Sequence, residues 1–124
     1  MTYPAVPDAP KCLDLCCAGG GASMGLFKAG FDMTGVDINP QPNYPFKFIL
    51  ADAIEVSLDG YDCFWASPPC QKYTHKQANW GRKRTHFYNH PDLIAPIRER
   101  LQATGKPYIL ENVNGAPLNG VVML

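Results

Sequence analysis

The stretch KCLDLCCAGGGASMGLFKAGF, residues 11–31, decides the fold. Its first six residues form a short apolar run of the kind that buried parallel strands show. Three consecutive glycines, Gly19, Gly20 and Gly21, then mark a turn, and apolar residues follow at helical spacing, namely Met24, Leu26, Phe27 and Phe31. This stretch therefore predicts a strand, a glycine turn and a helix, which together begin a parallel α/β unit.

Further apolar runs continue the alternation of strands and helices. We predict strands in DMTGVDINP, which stops at Asn39–Pro40, in PFKFILAD, which ends at Asp52, in YDCFWAS, which Pro68–Pro69 closes, and in KPYILENV, which ends in Glu111. Between the last two, HPDLIAPIRERLQATG has the pattern of an amphipathic helix. The fold class is α/β, a doubly wound parallel sheet with helices on both faces, in residues 12–124 after an irregular, proline-containing lead-in of residues 1–11.

Composition indicates one soluble globular domain, because 46% of the 124 residues are hydrophobic and 18% are charged. The net charge is zero, so no overall field favours nucleic acid. Locally, however, the segment from Cys63 to Pro91 has no acidic residue and predicts a basic loop. Its cations are Lys72, Lys76, Arg82, Lys83 and Arg84, and aromatic residues interleave with them. That pattern suits phosphate contact and base stacking, and a solvated surface loop is the alternative.

The five cysteines favour a reducing compartment, since their number is odd and we find no signal peptide or membrane-length apolar run. We therefore expect a cytoplasmic protein. A zinc site from Cys12, Cys16 and Cys17 is an alternative that we disfavour, because no further pair of ligands stands at structural spacing. We expect no metal.

The carboxyl ends of the predicted strands carry the residues of chemical interest. In such sheets ligands bind at this edge. Glycines at a helix N-terminus let the backbone approach a ligand, although strand–helix packing alone also explains them. Asp37, about twenty residues after the glycines, stands where an acid accepts hydrogen bonds from ribose hydroxyls. Asp52 is a candidate acceptor for an adenine amino group. The alternative is that Asp37 or Asp52 merely caps a turn.

Cys70 follows two prolines in the stretch WASPPCQKYTH. Pro68 and Pro69 hold φ near −65° and have no N–H, so they fix an extended path into the cysteine. A thiol presented in this way beside a basic loop is typical of a nucleophile, whereas a core cysteine usually lies within an apolar run.

Together, LDLCCAGGGASMG, GVDINP, SPPCQ and LENV resemble the amino-terminal half of DNA cytosine-5 methyltransferases, from Cys12 to Asn114. The resemblance implies a Rossmann-like fold of the S-adenosylmethionine-dependent methyltransferase type and methyl transfer to C5 of a flipped cytosine. Cys70 matches the nucleophile that adds to C6, Glu111 the glutamate that contacts N3 and the exocyclic amine, and Asn112 the asparagine of the same motif.

The resemblance also implies which residues bind S-adenosylmethionine. They are Asp14, Cys16, Ala18, Gly19, Gly20, Gly21, Asp37, Ile38, Asp52, Ala53 and Pro68. Two of them depart from the family pattern, because Cys16 replaces an aromatic residue and Ala18 replaces a glycine. The implied DNA contacts are Gln71, Lys72, Lys76, Arg82, Lys83 and Arg84.

The family's later strands, target-recognition region and final helix have no counterpart in these 124 residues. The expected domain is therefore incomplete on its carboxyl-terminal side. The strand YILENV then becomes a sheet edge, so we expect a homodimer or a complementary methyltransferase half as partner, besides a cytosine-containing DNA duplex.

Two other functions remain open. A catalytically silent remnant would bind cofactor or nucleic acid only, or need a partner chain, and an enzyme that methylates cytosine in RNA is less favoured. Methyltransferases of exocyclic amino groups place an aromatic residue after the prolines, so Cys70 argues against them. Restriction–modification, phage self-marking in an infected bacterial host cell and a decayed reading frame are all compatible with the residues.

Overall fold

The computed structural model describes residues 2–69 and 93–111. These residues form five strands and two helices. The elements are β1 (Lys11–Leu15), α1 (Gly21–Lys28), β2 (Asp32–Asp37), β3 (Lys47–Leu50), β4 (Cys63–Ala66), α2 (Ile94–Ala103) and β5 (Tyr108–Leu110). One helix thus comes after β1 and the other between β4 and β5.

The strands pair in parallel in the order β3-β2-β1-β4-β5. This is the strand order of the doubly wound nucleotide-binding sheets, in which the order reverses between β1 and β4. The register places Leu15 opposite Val36 on one side and Ala66 on the other. The carboxyl ends of these three strands therefore finish at the same level.

The two faces of the sheet are covered by different helices, because side chains alternate along each strand. On one face, Leu13, Leu15 and Phe64 pack in one cluster with Ile97 and Leu101 of α2. On the other, Cys12, Met33 and Phe46 form a second cluster, against which Met24 and Phe27 of α1 pack. The predicted parallel sheet with helices on both faces is confirmed.

The predicted strands and helices exist, and their bounds are shorter than the apolar runs. β1 ends at Leu15 because Cys16 takes a left-handed backbone conformation, with φ 61°, which no parallel strand accommodates. β3 ends at Leu50, two residues before the predicted Asp52, where the chain turns. Within the described residues β5 is an edge strand, as predicted, and its Ile109 is 54% exposed.

The lead-in packs on the sheet although it forms no helix or strand. The Tyr3 ring is tilted against Phe27 and stacks on Phe46, at centroid distances of 5.0 and 5.4 Å, and its N–H donates to the Pro45 carbonyl. The Val6 N–H donates to Asp32 at the start of β2. Neither helix of the described chain is long and apolar enough to cross a membrane.

Candidate functional site

The carboxyl ends of the strands bring most of the described site residues to one edge of the sheet. Backbone hydrogen bonds extend the strand pairing beyond the strands, from Cys17 to Val36, from Ser67 to Leu15 and from Glu111 to Ala66, at 2.8–3.1 Å. The glycine turn and the residues that follow β4 thus flank the point where the strand order reverses. Nucleotide ligands bind at this point in open α/β sheets.

The turn between β1 and α1 has an unusual backbone. Cys16, Ala18 and Gly20 have φ values of 61°, 47° and 98°, which lie in the left-handed region. Glycine adopts such values freely, whereas a residue with a Cβ atom pays about 1–2 kcal/mol. The alanine at position 18 therefore stands where the backbone favours the glycine of the family pattern.

Asp37 fixes the glycine turn to the end of β2. Its Oδ2 accepts a hydrogen bond from the Ala18 N–H and its Oδ1 one from the Asn39 N–H, both at 3.0 Å. A carboxylate offers about four lone-pair sites, so both oxygens can accept a further hydrogen bond. The side chain is half-buried. The capping role and the ligand role that the sequence left open are thus compatible.

Asp52 begins a single tight turn after β3. Its Oδ1 accepts from the Ile54 N–H at 3.0 Å, and its carbonyl accepts from the N–H groups of Glu55 and Val56. Three apolar side chains beside the two acids are exposed, namely Ile38 (55%), Leu50 (59%) and Ile54 (38%). Exposed apolar groups next to hydrogen-bonding carboxylates offer a surface suited to a flat base and its sugar.

Asp14 lies beneath the glycine turn rather than at its surface. The residue is 1% exposed, its Oδ2 accepts a 2.6 Å hydrogen bond from the Ser23 hydroxyl, and its Oδ1 has no partner among the described residues. Burial raises the pKa of this carboxyl to about 6; the Ser23 bond opposes the shift and the charge of Asp37 adds to it. Any direct cofactor contact would therefore need Asp14 to be uncovered.

The cysteines of the described residues are poor nucleophiles. Burial, assisted by the charges of nearby carboxylates such as Asp37 and Asp14, raises the pKa of Cys16 and of Cys17 to about 12. Cys16 packs on the α2 face and Cys12 and Cys17 belong to the α1 face, so these thiols do not converge. In the part of the chain that the structure describes, no group of three potential metal ligands comes together.

A cavity of about 830 Å³ lies at the opposite, amino-terminal edge of the sheet. Tyr3 and other residues of the lead-in line it together with Lys11, Asp32 and Lys47, which begin β1, β2 and β3. β1 has five residues and so separates the two edges by roughly 15 Å. This cavity is therefore distinct from the candidate site.

No protein-family model matches the sequence, and no curated protein matches it either. Solved structures do match. One is the 1,6-didemethyltoxoflavin-N1-methyltransferase of Burkholderia thailandensis, with bound 1,6-didemethyltoxoflavin and S-adenosylhomocysteine (TM-score 0.54, 16% identity, 82% of this chain and 44% of that one). Another is the sugar N-methyltransferase KedS8 of Streptoalloteichus sp. ATCC 53650 (TM-score 0.51, 18% identity, 93% of this chain and 46% of that one).

The chain has the Rossmann-like fold of S-adenosylmethionine-dependent methyltransferases. At this level of identity the likeness concerns the fold. The chain spans less than half the length of either structure.

Several predicted site residues of this methyltransferase fold lie outside the described residues. These are Cys70 and Asn112 of the predicted catalytic set and Gln71, Lys72, Lys76, Arg82, Lys83 and Arg84 of the predicted DNA contacts. The structure does describe the residues that directly precede Cys70 and Asn112 in the sequence. Pro68 is buried after β4, next to the exposed Pro69, and the exposed Glu111 follows β5.

Sequence reasoning missed the support beneath the glycine turn. The Tyr44 hydroxyl lies 2.7 Å from Ser23 Oγ, and its ring contacts the backbone at Gly20 and Gly35. A glycine in the middle of an apolar strand was the available signal, since it often marks a close approach. A Cβ atom at Gly35 would stand 2.4 Å from Tyr44 Cζ and 2.7 Å from Cys17 Sγ.

Proposed function

We propose that this chain is the cofactor-binding and nucleophile-bearing half of an S-adenosylmethionine-dependent DNA (cytosine-5)-methyltransferase. The observation that carries the proposal is the strand order, because it puts the end of β4 between the ends of β1 and β5. Cys70 comes directly after Pro69 in the sequence, so the motifs SPPCQ, LDLCCAGGGASMG and LENV belong to neighbouring strand ends. Those are the motifs of the family resemblance.

The cofactor site consists of the glycine turn and the two acids beyond it. Asp37 accepts hydrogen bonds from the ribose hydroxyls through the lone pairs that Ala18 and Asn39 leave free. Asp52 accepts from the adenine amino group, and the Ala53 N–H, which has no acceptor among the described residues, donates to adenine N1. Ile38 and Ile54 provide apolar contact for the base. When bound, S-adenosylmethionine supplies a methyl group on a positively charged sulfur.

Cys70 and Glu111 perform the chemistry on the base. The Cys70 thiolate forms a bond to C6 of cytosine, which makes C5 electron-rich enough to take the methyl group. Glu111 donates a proton towards N3 and so offsets the negative charge that builds on the ring. The C5 proton then passes to a water molecule, its bonding electrons expel the Cys70 thiolate from C6, and the proton shared with N3 returns to Glu111, which restores the aromatic ring. Asn112 positions the base.

The DNA contacts come from the segment after Cys70. Lys72, Lys76, Arg82, Lys83 and Arg84 bind phosphates, and the aromatic residues between them stack on the bases of the opened duplex. Because phosphate contacts depend on counterion release, the affinity of the chain for DNA falls with salt.

A methyl-transfer assay tests the proposed substrate. The chain is incubated with S-adenosylmethionine labelled in its methyl group and with poly(dG-dC), poly(dA-dT), or a single-stranded cytosine-containing RNA. The proposal predicts label in poly(dG-dC), recovered as 5-methyldeoxycytidine, and none in poly(dA-dT). Label in the RNA alone would move the substrate to RNA. Binding of S-adenosylhomocysteine with no transfer to any polymer would favour the silent, binding-only remnant.

A further inference from the structure

Arg100 joins the last turn of α2 to the turn that carries Asp52. Its Nη1 donates to the Ala53 carbonyl at 2.6 Å, and its Nη2 donates to the Val56 carbonyl. The side chain is half-buried. These contacts span more than forty residues of sequence.

The turn needs such a partner because it is too short to satisfy its own carbonyl groups. Residues 52–56 form a single turn, in which the Asp52 carbonyl accepts from the N–H groups of Glu55 and Val56. The Asp52 side chain caps the start of the turn through the Ile54 N–H. Arg100 caps its end by donating to the carbonyls of Ala53 and Val56, which accept no hydrogen bond from within the turn.

The guanidinium group suits two carbonyls at once. Its planar fork presents several N–H donors at fixed angles, whereas a lysine ammonium is a compact charge on a flexible stem. With both ends capped, the carboxylate of Asp52 and the N–H of Ala53 keep fixed positions relative to each other. These are the two groups that meet the edge of the adenine ring in the proposed site.

We infer that Arg100 is a positioning residue that determines the selectivity of the cofactor site for adenine, because it holds the Asp52–Val56 turn from the α2 face. The inference rests on the proposed cofactor site. The ribose contact is independent of it, since the bonds from Ala18 and Asn39 hold Asp37. Loss of Arg100 should therefore reduce discrimination at the base and leave discrimination at the sugar unchanged.

The test compares S-adenosylhomocysteine with S-inosylhomocysteine, in which an oxygen replaces the amino group and N1 carries a proton. The oxygen cannot donate to Asp52, and the proton on N1 meets the Ala53 N–H. Calorimetry should therefore find that wild type binds the adenine compound with a Kd at least about tenfold lower. In Arg100→Ala the preference should fall below about threefold, with Arg100→Lys between. The preference over 2′-deoxy-S-adenosylhomocysteine should stay as in wild type. Gln102→Ala, an exposed change on the same helix, is the matched control.

The outcomes separate the two proposals. Wild type that binds neither compound contradicts the proposed cofactor site itself. If wild type prefers the adenine compound and the Arg100 variants keep the same preference, the role of Arg100 is overturned and the proposed cofactor site stands. A merely structural effect would weaken all three ligands by the same factor, and this result also overturns the inference. If Arg100→Ala fails to fold by circular dichroism, the preference of Arg100→Lys decides.

Discussion

The Ser23 hydroxyl donates a 2.6 Å hydrogen bond to Asp14 Oδ2, and this bond joins the first turn of α1 to the buried end of β1. Because its only proton is used in this way, Ser23 Oγ must accept from the Tyr44 hydroxyl 2.7 Å away. The chain from Tyr44 through Ser23 to Asp14 supports the glycine turn from beneath. The geometry of the proposed cofactor site therefore depends on side chains that need not touch the cofactor.

Asp14 should make stability fall as the pH rises. Its pKa is raised from 3.8 to about 6 by burial, so the folded chain keeps a proton that the unfolded chain has lost between these values. The contribution of Asp14 to the free energy of unfolding should then decline across this window by about 3 kcal/mol and stay level above it. In urea titrations, the unfolding free energy of Asp14→Asn relative to that of wild type should rise by this amount between pH 4 and pH 6. Asp59→Asn, at an exposed position, is the control, and a constant difference for Asp14→Asn would contradict the account.

Gly35→Ala should strongly destabilise the fold. The new Cβ atom would stand 2.4 Å from Tyr44 Cζ, 2.6 Å from its hydroxyl oxygen and 2.7 Å from Cys17 Sγ, inside a packed layer. Overpacking of this kind costs about 1–3 kcal/mol or more of unfolding free energy. Gly25→Ala is the matched control, since it adds a methyl group to α1 with nothing within 4 Å and should stabilise by about 0.5–1 kcal/mol. Equal effects of the two changes in chemical denaturation would contradict the packing beneath the turn.

Cys70 should be the cysteine that reacts first in the native protein. Burial raises the pKa of Cys12, Cys16, Cys17 and Cys63, and for Cys16 and Cys17 it reaches about 12. At pH 7.5 fewer than about one in ten thousand of these last two thiols is ionised. Brief treatment with iodoacetamide, followed by peptide mass spectrometry, should therefore find label on Cys70. Rapid labelling of Cys16 or Cys17 in folded protein would be the contrary result.

The edge strand β5 should associate with another chain. It presents one unpaired side within the described sheet, and Ile109 is 54% exposed. Light scattering at micromolar concentration should find dimers or larger species, and Ile109→Lys should shift them towards monomer. Ile38→Lys, at an equally exposed isoleucine away from β5, should not. A strictly monomeric wild type would count against a partner at this edge.

Periodicity predicted the fold because each strand lies within a short apolar run that turn residues or an acid follow. The positions of Asp37 and Asp52 followed from this, since parallel strands end at the same edge. The strand ends were less accurate, because local backbone geometry such as that of Cys16 decides them.

Contacts between distant segments were not predictable in the same way. Tyr44 belongs to a proline-rich connector without periodicity, and Arg100 is one of several charged residues on an amphipathic helix. Nothing in their local sequence indicates that one supports the glycine turn and the other caps the Asp52 turn. The burial of Asp14 has no local sequence signal either, because alternation along β1 puts its side chain on the face opposite to Leu13 and Leu15, under α1, where Ser23 donates to it.

The most direct test of the central claim is covalent trapping. The chain is incubated with S-adenosylmethionine and a duplex that contains 5-fluorocytosine, in which fluorine at C5 blocks the elimination that would release the thiolate. The account predicts a protein–DNA adduct that survives denaturation in wild type and is absent in Cys70→Ser, while Cys63→Ser still forms it. No adduct in wild type, under conditions in which it binds S-adenosylhomocysteine and the duplex, would contradict covalent cytosine-5 chemistry by this chain.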